Sequence, residues 1–65
     1  MKIRYFSDTD TLFIRFRESD IVETRDIDEG TLIEFDANGQ LCAITVEHAK
    51  ERADLSHFSF EQVAA

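Results

Sequence analysis

Proline and tryptophan are missing from this chain of 65 residues, and cysteine occurs once. With Cys42 as the single cysteine, a disulfide within one chain is excluded. His48 and His57 are the two histidines, and no spacing of these three residues matches a zinc site. We therefore expect neither a bound metal nor another cofactor. A domain this short normally needs a disulfide, a metal or self-assembly for stability, so the sequence favours a homo-oligomer.

Long apolar runs and an excess of positive charge are also absent. No segment approaches the roughly 20 apolar residues that span a bilayer. Met1 and Lys2 lead directly into an alternating segment, which is not the pattern of a signal peptide. We therefore expect a cytoplasmic protein that does not contact membranes. The formal net charge of −7 also argues against nucleic acid as a partner, because phosphate backbones attract cationic surfaces.

The charges are distributed unevenly along the chain. Residues 1–17 carry four cationic and two acidic side chains, a net of +2, whereas residues 18–65 carry three and twelve, a net of −9. The simplest interpretation is a basic hairpin that lies beside acidic strands of the same sheet. The alternatives are head-to-tail attraction between subunits or a basic partner for the acidic part.

Five segments have the composition or the alternation of β-strands, over about 2–6, 11–16, 21–28, 31–36 and 40–46. The third is the least regular, which is typical of an edge strand or a β-bulge. Residues 47–54 lack β-branched side chains and favour a helix. Ser59 and Gln62 resemble a capping box, which predicts a short helical turn over about 59–63. The predicted fold is a small α+β domain over 1–65: a mainly antiparallel β-meander of four to five strands with a C-terminal helix.

The first two strands form a predicted hairpin with a four-residue loop, Ser7-Asp-Thr-Asp10. This loop pairs Ile3 with Ile14 and Arg4 with Phe13. One face of the hairpin is then apolar, and the other is basic. On the basic face Phe13 is placed for a cation–π contact with Arg4.

Asn38-Gly39 predicts a second hairpin and allows two registers. A two-residue loop pairs Phe35 with Cys42 and Ile33 with Ile44. A three-residue loop with Gly39 in the left-handed position pairs Phe35 with Leu41 instead. The two-residue loop is preferred because it gathers the larger apolar side chains on one face.

The opposite face of this sheet still carries Leu32, Leu41 and Ala43, and the first hairpin adds Phe13. That is more apolar surface than a solvent-facing sheet requires. Either the C-terminal segment covers it or another subunit does. We therefore expect these four residues to form an interface.

No arrangement of residues in the sequence indicates catalysis. The acidic run Asp26-Ile-Asp-Glu-Gly30 supplies fragments of a calcium loop and lacks the remainder. Cys42 and His48 are a conceivable nucleophile and base, but no third residue is placed to orient them. The two glycines serve turns and do not form a phosphate loop. We expect no catalytic residues and no enzymatic activity.

Four segments of the sequence carry a family resemblance. In chain order they are Met1-Lys-Ile-Arg-Tyr5, Asp10-Thr-Leu-Phe-Ile-Arg-Phe16, Glu29-Gly30 and Phe35-Asp-Ala-Asn-Gly-Gln-Leu-Cys-Ala-Ile44. In order and spacing they resemble a family of short bacterial proteins catalogued as domain of unknown function 2283. The likeness covers about residues 1–53, and it departs at Ala43-Ile-Thr45, where the family usually has Gly-Ile-Glu. The resemblance implies a β-rich α+β domain with no established activity and no catalytic residues to carry over. Because some relatives lie beside small toxin-like proteins, it also favours a partner-binding role.

These observations predict a noncatalytic interaction module, either an antitoxin-like protein or an accessory subunit that binds a protein partner. The alternative is a protein that binds a small molecule or a cation in a cleft between subunits.

Overall fold

The computed structural model describes residues 1–64, and its main element is one antiparallel sheet of five strands. The elements are β1 Lys2–Phe6, β2 Thr11–Arg15, β3 Glu23–Asp28, β4 Thr31–Phe35, β5 Leu41–Glu47 and the helix α1 Ala49–Arg52. The strands lie in the order β1-β2-β5-β4-β3. Strands β3, β4 and β5 form a meander, and the β1–β2 hairpin joins it through β2. The predicted fold class, a mainly antiparallel sheet with a C-terminal helix, is confirmed.

The first hairpin has the predicted register, with Ile3 opposite Ile14. The same row continues across the sheet, because Ile14 pairs with Ile44 and Ile44 pairs with Ile33. Directly opposed residues of an antiparallel sheet project from the same face. Four isoleucines from four neighbouring strands therefore share one side of the sheet, which we call the isoleucine face.

The loop of the second hairpin contains three residues, so the preferred two-residue loop is wrong. The Asp36 N–H donates to the Gln40 carbonyl at 3.0 Å, and the Gly39 N–H donates to the Asp36 carbonyl at 3.0 Å. Gly39 has φ of 76°, the left-handed conformation of the three-residue alternative. Phe35 accordingly pairs with Leu41 and not with Cys42.

A bulge at Cys42 then changes the register within β5. Glu34 pairs with Ala43, and Phe35 pairs with Leu41, so Cys42 is an extra residue with no opposite partner. Beyond the bulge, Ile33 pairs with Ile44, as the two-residue loop predicted. The sheet therefore uses the three-residue turn at its tip and regains the register that aligns the isoleucines.

Two predictions for the C-terminal part are wrong. The helix covers Ala49–Arg52 and not 47–54, because β5 continues to Glu47 and His48 takes a left-handed conformation with φ of 53°. Residues 59–63 form no helical turn. Phe60 within this segment and Phe58 just before it are each 72% exposed, so the segment lacks the packed apolar contacts that stabilise short helices.

The irregular third strand is an edge strand with a bulge, as the sequence suggested. Strand β3 begins at Glu23, two residues later than predicted, and every residue in it is exposed. The register shifts between Asp26 and Asp28, which leaves Ile27 without an opposite partner. Charge and a bulge on an edge strand both discourage pairing with another sheet.

Very little of this chain is fully buried. Among residues 1–64, the buried apolar side chains are Cys42, Ala43 and Ala49. The principal extents of 35 × 34 × 18 Å describe a slab. Segment 53–58 lies against the β1–β2 end of the isoleucine face, where a groove runs between Phe58 and Ile3.

Candidate interaction surface

The side of the sheet opposite the isoleucine face carries most of the charge, and we call it the charged face. Its residues follow from the cross-strand pairs, which place opposed side chains on one side. One row consists of Arg4, Phe13, Thr45, Leu32 and Asp26, and the neighbouring row consists of Lys2, Arg15, Ala43, Glu34 and Thr24. Both rows run from β1 at one edge to β3 at the other.

Three of the four predicted interface residues come together on the charged face. Phe13 and Leu32 both pair with Thr45, and Ala43 lies in the next row. Leu41 does not join them, because its partner Phe35 belongs to the isoleucine side. The bulge at Cys42 interrupts the alternation along β5, and the sequence pattern did not reveal it.

The cation over Phe13 is Arg15 and not Arg4, so the predicted cation–π partner is wrong. The Arg15 guanidinium carbon lies 5.8 Å from the ring centroid. Residues two apart on a strand share a face, so Arg15 reaches along β2 to the ring. Its Nη1 also lies 3.7 Å from a carboxylate oxygen of Glu18.

Opposite charges occupy opposite halves of the charged face, and between them β5 contributes the neutral Ala43 and Thr45 and, at its end, the acid Glu47. A shallow depression on the β1–β2 half is lined by Lys2, Arg4 and Phe13, among others. A second depression on the β3–β4 half is lined by Asp26, Leu32 and Glu47, among others. Within residues 1–64, no salt bridge joins the two halves. Ion pairing inside one sheet therefore does not account for the charge division on this face.

Asp10 anchors α1 to the first hairpin. The Tyr5 hydroxyl donates to Asp10 Oδ1 at 2.6 Å, and the Lys50 N–H donates to the same oxygen at 3.1 Å. The Asp10 carbonyl accepts the Ala49 N–H at 3.0 Å. The hydrogen bond to the carboxylate raises the pKa of Tyr5 to about 12, and it lowers the pKa of Asp10. Asp10 and His48, the two residues besides glycine with positive φ in 1–64, both lie at this anchor.

Arg52 anchors the other side of α1 to the β3–β4 turn. Its Nη2 donates to Asp28 Oδ2 at 3.1 Å and to the Thr31 hydroxyl at 2.5 Å. The Gly30 N–H donates to the Asp28 side chain at 2.9 Å, and this bond is the main cause of the lowered pKa of Asp28. A Cβ at Gly30 would come within 2.9 Å of Arg52 Nη1. The acidic run around Asp28 therefore supports the turn and the helix.

Asp36 organises the opposite end of the sheet, in the turn between β4 and β5. It is 7% exposed, and its Oδ1 accepts the N–H groups of Asn38 at 2.9 Å and Gln40 at 3.0 Å. These backbone bonds, with Gln40 first, hold the pKa of Asp36 below its usual value. Arg17 hydrogen-bonds the Gln40 side chain and so joins the β2–β3 connection to this turn. The carboxylate is engaged in building the turn.

The structure brings together one serine, histidine and aspartate group that the sequence analysis did not single out. Ser56 Oγ lies 2.9 Å from His57 Nδ1, and Asp54 Oδ2 lies 3.4 Å from the same nitrogen. A catalytic triad needs the acid on one ring nitrogen and the nucleophile on the other. Here both contact Nδ1, so the imidazole cannot relay a proton from serine to aspartate. The group is an exposed local turn at Asp54.

The other residues considered for chemistry are not arranged for it. Cys42 has no exposed surface, and its Sγ lies 3.5 Å from the Gln40 carbonyl. Within residues 1–64, no group of three or more histidine, cysteine, aspartate or glutamate side chains is placed to hold a metal ion. No helix in that range is long and apolar enough to cross a membrane.

A family model described as protein of unknown function DUF2283 matches residues 2–50. The chain belongs to the DUF2283 family. The matched region contains all five strands and ends within α1, so it includes every residue of the charged face. Comparisons of this DUF2283 protein with curated proteins and with solved structures gave no match.

Proposed function

We propose that this DUF2283 protein is a noncatalytic interaction module that binds protein through an open face of its sheet. The observation that carries the proposal is its exposed area of 5209 Å² for a chain of 7.5 kDa. A compact monomer of this mass exposes about 4,200 Å². The excess of about 1,000 Å², part of which belongs to the exposed C-terminal tail, is comparable with the roughly 800 Å² that one partner contributes to a standard interface.

A sheet face is a better docking surface here than a sheet edge. Strand β3 is an edge with four charged side chains and a bulge, and strand β1 carries Lys2 and Arg4 at the other edge. These features oppose strand addition. Segment 53–58 lies over the β1–β2 end of the isoleucine face, so the charged face is the one that we propose for docking.

In a cell, such a module would serve as an accessory subunit or an antitoxin-like protein. The acidic chain, with its net charge of −7, suits a protein partner with a basic surface. We place this role in the cytoplasm of a bacterium, in keeping with the single cysteine and the family resemblance.

One observation favours a second candidate function, the binding of a small apolar molecule. The groove between segment 53–58 and the isoleucine face has a volume of about 310 Å³ and is lined by apolar side chains such as Ile3, Leu12, Ile14 and Phe58. Ligand pockets begin at about this size. Such a ligand would occupy the face opposite to the proposed protein interface.

The experiment that tests the module compares the wild-type chain with Leu32→Glu and a matched control, Val63→Glu. Leu32 lies on the charged face, whereas Val63 is 74% exposed in the tail. Solution mass is measured by light scattering at two concentrations, and proteins captured from a bacterial extract are purified and titrated against each variant. We expect Leu32→Glu to weaken self-association or partner binding at least tenfold and Val63→Glu to leave it unchanged.

A different result would favour the ligand-binding alternative. The chain would be monomeric, would capture no saturable partner, and would gain several degrees of melting temperature with long-chain fatty acids. A ligand that binds only the native state stabilises it by mass action.

A further inference from the structure

The arrangement of the charged face around β5 suggests a particular partner. Strand β5 is the middle strand, with β2 and β1 on one side and β4 and β3 on the other. Two copies stacked face to face are related by a two-fold axis that lies between them. If that axis runs along β5, it places β2 of one copy over β4 of the other and β1 over β3.

The two rows of the charged face are complementary to themselves under this operation. In the first row, Phe13 meets Leu32 of the second copy, and Arg4 meets Asp26. In the second row, Arg15 meets Glu34. Phe13 therefore faces an apolar side chain, Arg4 and Arg15 face acids, and Lys2 faces the uncharged Thr24.

A two-fold axis across the strands gives the opposite result. It places β1 over β1 and β2 over β2, so that Lys2, Arg4 and Arg15 lie close to their own copies. Like charges brought together at an interface cost several kcal/mol. The charge pattern therefore selects the axis along β5.

The residues at the centre of the face permit close contact. Ala43 and Thr45 of β5 lie nearest the axis, and because Ala43 has no exposed surface, Thr45 is the one that would meet its own copy. Packed sheets lie about 10 Å apart and are rotated by about 30°, so pairs close to the axis fit best. Strands β2 and β4 lie about 4.8 Å to either side of β5, which favours the Arg15–Glu34 and Phe13–Leu32 contacts over those at the edges.

We infer that the charged face binds a second copy of this chain, as an isologous dimer with its two-fold axis along β5. The inference rests on the proposed function and names its partner. Within residues 1–64, Lys2, Arg4, Asp26 and Glu34 form no salt bridge in the single chain, so these charges are available to the second copy.

Complementary charge reversal tests both the partner and the axis. Arg15→Glu places an acid opposite Glu34 of the second copy, and Glu34→Arg places a cation opposite Arg15. Each variant alone should dissociate at least tenfold more readily than wild type, as measured by analytical ultracentrifugation at low salt. In a mixture of the two variants, the heterodimer contains one native pair and one pair with its signs exchanged, so both contacts are again between opposite charges. Native mass spectrometry with one variant isotopically labelled should therefore show the heterodimer, with an affinity within about threefold of wild type.

Two substitutions of the same types serve as controls. Arg25→Glu changes the isoleucine side of β3, and Glu61→Arg changes the tail; neither should alter dimer affinity. Circular dichroism of every variant separates loss of folding from loss of association. Rescue by mixing is decisive because a variant that merely misfolds is not restored by another.

Three outcomes would overturn the inference. If the wild type is monomeric and binds a different protein through the charged face, the second copy is not the partner, and the proposed interaction module still holds. If the wild type is a dimer but neither reversal weakens it, or if mixing the variants does not restore it, the interface lies on another surface. The proposed interaction module holds in that case too. If the wild type neither self-associates nor binds any protein, both the proposed function and this inference are wrong.

Discussion

Gly39 provides a sensitive test of the turn that sets the register of the central hairpin. Its φ is 76°, and a Cβ built on it meets no atom within 4 Å, so a substitution there changes backbone energy and little else. L-alanine in the left-handed region costs about 1–2 kcal/mol. Alanine also lowers the conformational entropy of the unfolded chain relative to glycine, which stabilises the folded state by about 0.5 kcal/mol. The net destabilisation expected for Gly39→Ala is about 1 kcal/mol.

D-alanine at position 39 is the matched control, and a chain of 65 residues is accessible to chemical synthesis. D-alanine adopts positive φ without strain and restricts the unfolded chain to the same extent, so it should stabilise by about 0.5 kcal/mol. For this length, 1 kcal/mol corresponds to about 7 °C in melting temperature. We therefore expect a fall of about 7 °C with L-alanine and a rise of 3–4 °C with D-alanine, roughly.

Thermal unfolding by circular dichroism measures both effects, at one total protein concentration because self-association would shift the midpoint. Equal melting temperatures for the two stereoisomers would refute the left-handed turn. The hairpin would then have another loop, and the bulge at Cys42 would lose its explanation.

Three further predictions concern other parts of the chain. Gly30→Ala should destabilise the protein because the new Cβ displaces Arg52. In a double-mutant cycle, this loss of stability should largely vanish in an Arg52→Ala background. A loss of the same size in that background would mean that the strain arises in the turn itself. Tyr5 is the single tyrosine, so ultraviolet absorbance should show its ionisation near the raised pKa of about 12, and the stability it contributes should be complete below pH 10 and lost as the pH rises towards 12. Ionisation near pH 10 would contradict the hydrogen bond to Asp10. Cys42, with no exposed surface, should react with thiol reagents only on unfolding, at a rate that follows denaturant concentration; fast reaction in buffer would show that the bulge opens readily.

The candidate surface was partly predictable. The sequence pattern places Phe13, Leu32 and Ala43 on one face correctly because each belongs to a stretch with regular alternation, which in β5 runs from Ala43 to Glu47. Leu41 was misplaced because it lies beyond the bulge, where alternation no longer reports the face. The cation–π partner of Phe13 is Arg15 and not Arg4, and this choice depends on side-chain conformations that the period of a strand does not encode.

The helix shows a similar division. Its position after the last strand followed from the composition of residues 47–54, but its short length did not. His48 turns the chain with left-handed backbone geometry, and Asp10 and Arg52 hold the four-residue helix in place. These anchors join residues that are distant in sequence, and helix propensity, which is a local property, does not predict such contacts.

The sequence by itself determined the strands, the two hairpins, the family and the separation of basic from acidic residues. These features depend on local periodicity, turn chemistry and composition, which act over a few residues. The tertiary structure alone decided that β5 lies between β2 and β4, and that segment 53–58 lies over the β1–β2 end of the isoleucine face. Strand order depends on which surfaces bury each other once the chain folds back. That order places cations and acids on opposite sides of β5, and so turns an uneven charge distribution into a face that complements itself.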